Sequence, residues 1–228
     1  MKQIVLDMGL ASGPTLQNFF PGPNEDVCQH LRLWVGNELR SPVPTYLWGE
    51  SGSGKTHLLR AVAQALQAQG TAVGWLDATV AEPAGFDAHW QVVLFDDVQA
   101  YSAVQQHTAF NWFVNATSPV DGRQRWVLAA GDCPPSDLPL REDLRTRLGW
   151  GHVYQLQLLD ESQRRAVLRQ HAEARGVFLK DEVMDFILTR FSRDLGSLVQ
   201  LLDALDVYAL QNQRPITIPL IKSMLQEV

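Results

Sequence analysis

Gly49-Glu50-Ser51-Gly52-Ser53-Gly54-Lys55-Thr56 satisfies G-x-x-x-x-G-K-[ST] in full. The chemistry such a run can do is phosphate binding. Its glycines let backbone N–H groups converge on phosphate oxygens, Lys55 can reach the β and γ oxygens, and Thr56 can ligate Mg²⁺. With Gly at about 7% of residues, a chance match in a chain of this length is on the order of one in a hundred. The competing reading is a glycine-rich turn with a solvated lysine. A second signal follows in Val92-Val93-Leu94-Phe95-Asp96-Asp97. An acid at the end of a buried strand beside such a loop can hold Mg²⁺ through water, and Asp96 is that acid. Asp97 stands where strong ATPases carry a glutamate that polarises the attacking water. It is one methylene shorter, and placement of a reactive water is sensitive to about 1 Å, so slow turnover is expected. Asp97 reads alternatively as a helix cap or surface acid.

These residues need elements to hold them. Asn24 can cap a helix over 24–39, with Glu25 and Asp26 in its first turn and Val27, Leu31, Trp34 and Val35 at helical spacing. Strands are expected at 45–48, 71–76, 91–95, 125–130 and 152–156, with helices at 55–69, 102–116 and 137–147 and an irregular connection over 77–90. The 91–95 run is continuously apolar, as a strand buried on both faces should be. Strands alternating with helices predict an α/β fold, a parallel sheet with flanking helices and right-handed crossovers. After residue 158 the pattern turns helical, at 160–175, 181–191, 194–211 and 217–227. Asp160 with Gln163 resembles a capping box, Gly176 closes that helix, and Leu195, Leu198, Val199, Leu202 and Leu205 mark one apolar face. The domain expectation is a flexible tail over 1–14, an α/β nucleotide-binding domain over 15–158 and a helical lid over 159–228.

Composition narrows the function. The net charge is −6, and no Lys or Arg occurs in the 62 residues between Arg60 and Arg123. A protein that grips nucleic acid through phosphates needs a basic face. Cys28 and Cys133 form no C-x-x-C pair, which suggests a reducing compartment with no disulfide or metal framework. No run approaches the 18 or so apolar residues of a membrane span. The opening hexapeptide Gln3-Ile4-Val5-Leu6-Asp7-Met8 is too short and too interrupted for a signal peptide. On its own it reads as an edge strand or a frayed terminus, followed by a linker at Ala11 to Pro14.

The order of motifs resembles that of AAA+ proteins, and more closely the bacterial DnaA family. "FFPGPNEDV", "YLWGESGSGKTHLL", "VVLFDDVQ", "AAGDCPPSDL", "LRTRLGWG" and "FSRDLGSLVQLLDALD" follow that family's motifs in sequence over nearly the whole chain. The resemblance is strongest to its short, Hda-like branch, which lacks the helix-turn-helix domain of DnaA. This chain, too, reads to its end as a helical lid. Members of that branch carry a sliding-clamp-binding peptide at the N-terminus, and "QIVLDM" is similar to it, with Gln3, Leu6 and Met8 at the anchoring positions. An extended anchor on a flexible linker suits binding in a groove. By the same resemblance Asp132 is a first phosphate sensor, Arg193 a second, and Arg147 an arginine finger. Phe20 and Asn24 fall where the family places its adenine pocket. Asp132 reads otherwise as a turn residue before Pro134 and Pro135, Arg193 as a solvated arginine at a helix start, and Arg147 as the partner of Asp143 one turn earlier.

The resemblance implies ADP or ATP with Mg²⁺ as cofactors and weak intrinsic ATPase activity at most. It implies two partners, the sliding clamp (the β subunit of DNA polymerase III) and DnaA. DNA is then met only through the clamp, no membrane is involved, and two copies can pair through the finger edge. The setting implied is the bacterial cytoplasm, at the nucleoid and replisome. The chain departs from the family in a short, uncharged connection between its second strand and the Asp96 strand, a region that in DnaA helps grip single-stranded DNA. The expected function is a regulator that docks on the DNA-loaded clamp and stimulates hydrolysis of DnaA-bound ATP, preventing re-initiation of replication. The alternatives are a DNA-handling ATPase similar to a helicase loader or transposition helper, and a nucleotide-sensing scaffold that neither hydrolyses nor activates.

Overall fold

The computed structural model describes residues 13–36, 40–191 and 195–226. The described chain divides after Leu158 into two compact units. In the first, five strands form one parallel sheet in the order β2-β3-β4-β1-β5. They are β1 (Thr45–Trp48), β2 (Val73–Leu76), β3 (Val92–Phe95), β4 (Trp126–Gly131) and β5 (His152–Gln155). Helices α1 (Glu25–Gly36), α2 (Lys55–Ala68), α3 (Ala103–Thr117) and α4 (Glu142–Leu148) cover its faces. The second unit holds α5 (Glu161–Ala174), α6 (Asp181–Arg190), α7 (Leu195–Asn212) and α8 (Ile218–Gln226). This is the α/β sheet plus helical lid that the alternation of patterns predicts.

Both faces of the central strands β3 and β4 are dry, which is why they read as apolar runs, whereas β5 at the sheet edge alternates half-buried and exposed residues. Leu47, Val92, Leu94, Leu128 and Ala130 pack on the α1 and α2 side, with Leu31, Trp34, Leu58, Leu59 and Leu66. Tyr46, Val93, Phe95, Val127 and Ala129 pack on the α3 and α4 side, with Trp112, Phe113, Leu144 and Leu148. The core of the helical unit includes Leu198 and Leu205 of α7, with Leu195 and Val199 packed against it, and Leu202 of the same helix is buried as well. Asp160 and Gln163 form the capping box of α5, and Gly176 follows that helix at φ +72°.

Several local expectations change. Asn24 does not cap α1; it ends a 3₁₀ turn over Gly22–Asn24, and its side chain is spent elsewhere. The end expected for that helix, 37–39, lies outside the described residues. The single helix expected at 137–147 is a 3₁₀ turn at Pro135–Asp137 followed by a separate α4. Pro139 separates them, because a proline drives the residue before it into extended backbone. Gly13 and Pro14, read as flexible linker, adjoin a tied turn. Asn18 Nδ2 donates to the Gly13 carbonyl at 3.1 Å, and Thr15 and Asn18 exchange two further hydrogen bonds.

The 77–90 connection has no regular element, yet it is fastened along its length. Gln105 Nε2 donates to the carbonyls of Asp77, Ala78 and Val80. Trp112 Nε1 donates to Ala84 O at 3.1 Å. Arg125, itself buried, donates to Ala88 O and Trp90 O while pairing with Asp121 at 2.6 Å.

Candidate nucleotide site

The parallel order brings β1, β3 and β4 side by side, so their C-terminal ends and loops share one edge. The loop Gly49–Gly54 leaves β1 and runs into α2, whose N-terminal N–H groups and dipole favour an anion. Gly54 sits at φ +97°, and a Cβ there would lie 2.6 Å from Phe19 Cε2. A Cβ on Gly49 would lie 2.3 Å from the Leu156 carbonyl oxygen. Both positions therefore require glycine. Ser53 is buried, and its Oγ has no hydrogen-bond partner. Buried hydroxyls are ordinarily satisfied, so an orphan at the head of a glycine cradle fits a bound phosphate oxygen. Glu50 and Ser51 are exposed on the rim.

Lys55 is 6% exposed and donates from Nζ to the carbonyls of Gly49 at 2.7 Å and Glu50 at 2.9 Å. Burial pushes its pKa down, while the carboxylates of Asp97, Asp96 and Asp132 pull it up. Three acids from the ends of β3 and β4 thus bear on one ammonium. Asp96 is also buried. Burial raises its pKa, opposed by the Thr56 hydroxyl and by the Asp97 N–H, which donates to Asp96 Oδ1 at 3.1 Å. Thr56 and Asp96 stand together as a Mg²⁺ pair would. Among the described residues no cluster of three His, Cys, Asp or Glu could hold a metal alone. Mg²⁺ keeps several waters and is usually shared with substrate phosphates, so one or two protein ligands suffice for it.

Asp97 takes φ +51°, unusual for a residue with a Cβ, and its side chain caps no helix. Gln99 Nε2 donates to Asp97 Oδ1 at 3.3 Å instead. Asp132 follows β4 directly and is exposed, and the Cys133 thiol donates to it. Burial first, then this bond, pushes the Cys133 thiol up to about 11. Asn24 is buried and clamps one residue twice: it accepts from Gln157 N at 2.7 Å and donates to Gln157 O at 3.0 Å. Phe20 is half-buried, whereas Phe19 is the aromatic residue against Gly54. His57 adds to that contact, 5.4 Å from the Phe19 ring and 3.2 Å from the Thr15 carbonyl. Sequence reasoning missed Phe19 and His57; the "FF" pair and the loop's first helical turn were the available signals.

Arg147 lies on α4 and, among the described residues, forms no ion pair with a carboxylate. Its guanidinium carbon is 5.1 Å from the Phe110 ring centroid and 4.8 Å from that of Trp150. Asp143 pairs with Arg141 at 2.7 Å, so the Asp143–Arg147 pair does not form. Arg141, Glu142, Asp143, Thr146, Arg147 and Trp150 line an open depression of ≈ 530 Å³. Gln3, Leu6, Met8 and Arg193 lie outside the described residues. No helix among those described is long and apolar enough to cross a membrane.

Comparison with known proteins agrees with this architecture. Residues 160–225 match the family model described as "Hda, lid domain", and residues 10–79 match that of the bacterial DnaA ATPase domain. An uncharacterized protein of Haemophilus influenzae is 34% identical over 98% of this chain and 98% of its own length. Domain III of the Thermotoga maritima replication initiation protein DnaA superposes with a TM-score of 0.73 at 21% identity, covering 93% of this chain and 95% of that one. AMPPCP-bound DnaA from Aquifex aeolicus gives a TM-score of 0.66 at 22% identity, over 85% of this chain and 65% of that one.

Proposed function

The chain belongs to the DnaA family of AAA+ proteins as an Hda-like member, and from that premise we propose that it is a regulator of replication initiation acting on DnaA in trans. It binds ADP or ATP with Mg²⁺, docks on the DNA-loaded sliding clamp through Gln3, Leu6 and Met8, and presents Arg147 to the ATP of a DnaA molecule. Hydrolysis there leaves DnaA unable to re-initiate.

The observation that carries this reading is the state of Arg147. Its guanidinium rests on two aromatic faces and, among the described residues, on no carboxylate. A finger must arrive charged and unneutralised at a phosphoryl group whose oxygens gain charge. Aromatic faces hold a cation without cancelling it, at a cost of release of about 0.5–1 kcal/mol per exposed contact.

The chain's own site suits retention of nucleotide better than turnover. The Gly49–Gly54 loop, Lys55 and the buried Ser53 hydroxyl grip phosphates, and Thr56 with Asp96 would hold the ion, which screens phosphate charge when bound. Asp97 is short, and Gln99 already occupies one of its oxygens. Both features work against orienting a water. Asp132 and Arg193 serve as phosphate sensors, and the tail, the α/β body and the lid divide as 1–14, 15–158 and 159–228.

The test is a reconstituted assay with clamp loaded on DNA and ATP-bound DnaA. Wild-type chain accelerates hydrolysis. Gln3→Ala with Leu6→Ala removes clamp binding and that acceleration, while nucleotide binding is retained. Undiminished clamp affinity in the double variant would defeat the tail assignment.

A further inference from the structure

Tyr46 lies on β1, three residues before the phosphate loop, and is 0% exposed. Its hydroxyl donates to the carbonyl of Cys133 at 2.8 Å. The path between them runs beneath the end of β4. A Cβ on Gly131 would lie 2.2 Å from the Tyr46 hydroxyl and 3.1 Å from Val98 Cγ2. Gly131 is therefore the residue that lets the phenol through.

The placement brackets Asp132. The residue before it rests on the phenol, and the residue after it accepts the phenol's hydrogen bond. Sheet pairing ends one residue earlier, with Gly131 opposite Trp48. Beyond that point the chain has left its ladder, and the Tyr46 hydroxyl continues the tether from the same neighbouring strand. Phenylalanine would fill the same space without a polar atom to satisfy, so the oxygen's contribution is this bond. Asp132 is also one of the three carboxylates whose charge bears on Lys55.

We infer that Tyr46 is a positioning residue of the nucleotide site: its hydroxyl fixes where Asp132 stands relative to the phosphate loop, and through Asp132 how the site distinguishes a nucleoside triphosphate from a diphosphate. The inference rests on the reading of Asp132 as a phosphate sensor. Tyr46 touches no substrate in this account. It transmits the position of β1, which carries the loop, to the exit of β4, which carries the sensor.

The experiment compares the full-length wild type with Tyr46→Phe, Asp132→Asn and the double variant. Each is titrated with Mg-AMPPCP and Mg-ADP by calorimetry, and the readout is the ratio of the two affinities. Asp132→Asn shifts the ratio. Tyr46→Phe, which keeps the ring and its packing, shifts it in the same direction by about threefold to tenfold, the span of one net hydrogen bond. The double variant shifts it no further than Asp132→Asn alone. A Tyr46→Phe protein with the wild-type ratio, beside an Asp132→Asn protein with an altered one, overturns the positioning role and leaves the sensor standing. An unchanged ratio in Asp132→Asn overturns the sensor and this inference with it. Equal losses of both affinities in Tyr46→Phe, or full additivity in the double variant, show general loosening and also overturn it.

Discussion

The guanidinium of Arg147 stands 4.8 Å from the centre of the Trp150 ring, three residues further along the chain. Trp150 is 59% exposed, so this contact lies at the protein surface. Phe110 supports the other contact at 5.1 Å and shares its ring with Arg141.

Arg147→Ala therefore tests trans-action directly. The variant folds, binds nucleotide and binds clamp as wild type does. Its stimulation of DnaA-ATP hydrolysis drops toward the unstimulated rate, the loss expected of an arginine finger being about 10³–10⁵. Arg145→Ala, two positions away on α4, retains stimulation. Wild-type stimulation by the Arg147 variant would sink the mechanism whatever the tail binds.

Lys55→Ala reports on the phosphate loop. Nucleotide at about 100 times its dissociation constant stabilises a folded protein by about 2.7 kcal/mol, seen as a higher melting temperature. The variant loses most of that rise with both ADP and ATP. If nucleotide still lifts its melting temperature by the wild-type amount, the loop is not the site.

Asn24→Ala separates structure from recognition. The buried amide serves both the N–H and the carbonyl of Gln157, at 2.7 and 3.0 Å. Truncation strands those two groups and costs about 1–3 kcal/mol of stability. Denaturant unfolding measures it, and a cost near zero would show that water takes over both bonds.

His30 makes the α/β unit sensitive to acid. It bonds Thr45 Oγ1 at 3.1 Å and lies 4.9 Å from both the His152 and Tyr154 rings. Burial, and then the His152 charge, hold its pKa below the ordinary histidine value. The unfolded chain therefore takes up a proton at a higher pH than the fold does. Stability is complete above about pH 6.5 and declines as pH falls below it. Melting curves taken between about pH 7.5 and 5.5 show the decline, and His30→Gln flattens it. An identical pH profile in the variant would assign the effect to other groups.

The reading of the sequence reached what is local or periodic. The phosphate loop, Asp96 and the double-sided burial of β3 each announce themselves within eight residues. The roles of Asn24, Gln105 and Tyr46 do not, because their partners lie 133, 25 to 28 and 87 positions away. A polar residue looks the same whether it caps its own helix or clamps a distant carbonyl. Asn24 precedes two acids and a helical pattern, so the cap was the economical expectation; burial of the amide against β5's exit decided otherwise. The break between Asp137 and α4 was legible in Pro139, which the helical spacing around it obscured.

The fastening of the 77–90 connection has an evolutionary consequence. Every bond that Gln105, Trp112 and Arg125 make to it ends on a backbone carbonyl. Carbonyls are common to all residues, so these bonds do not depend on the segment's own side chains, of which Ala78, Val80, Phe86 and Trp90 pack inward against the core. Its own outward side chains are free to drift in charge and size while the backbone holds its course. A lineage can lose or regain basic residues here by single substitutions, altering what this surface attracts without refolding the domain beneath it.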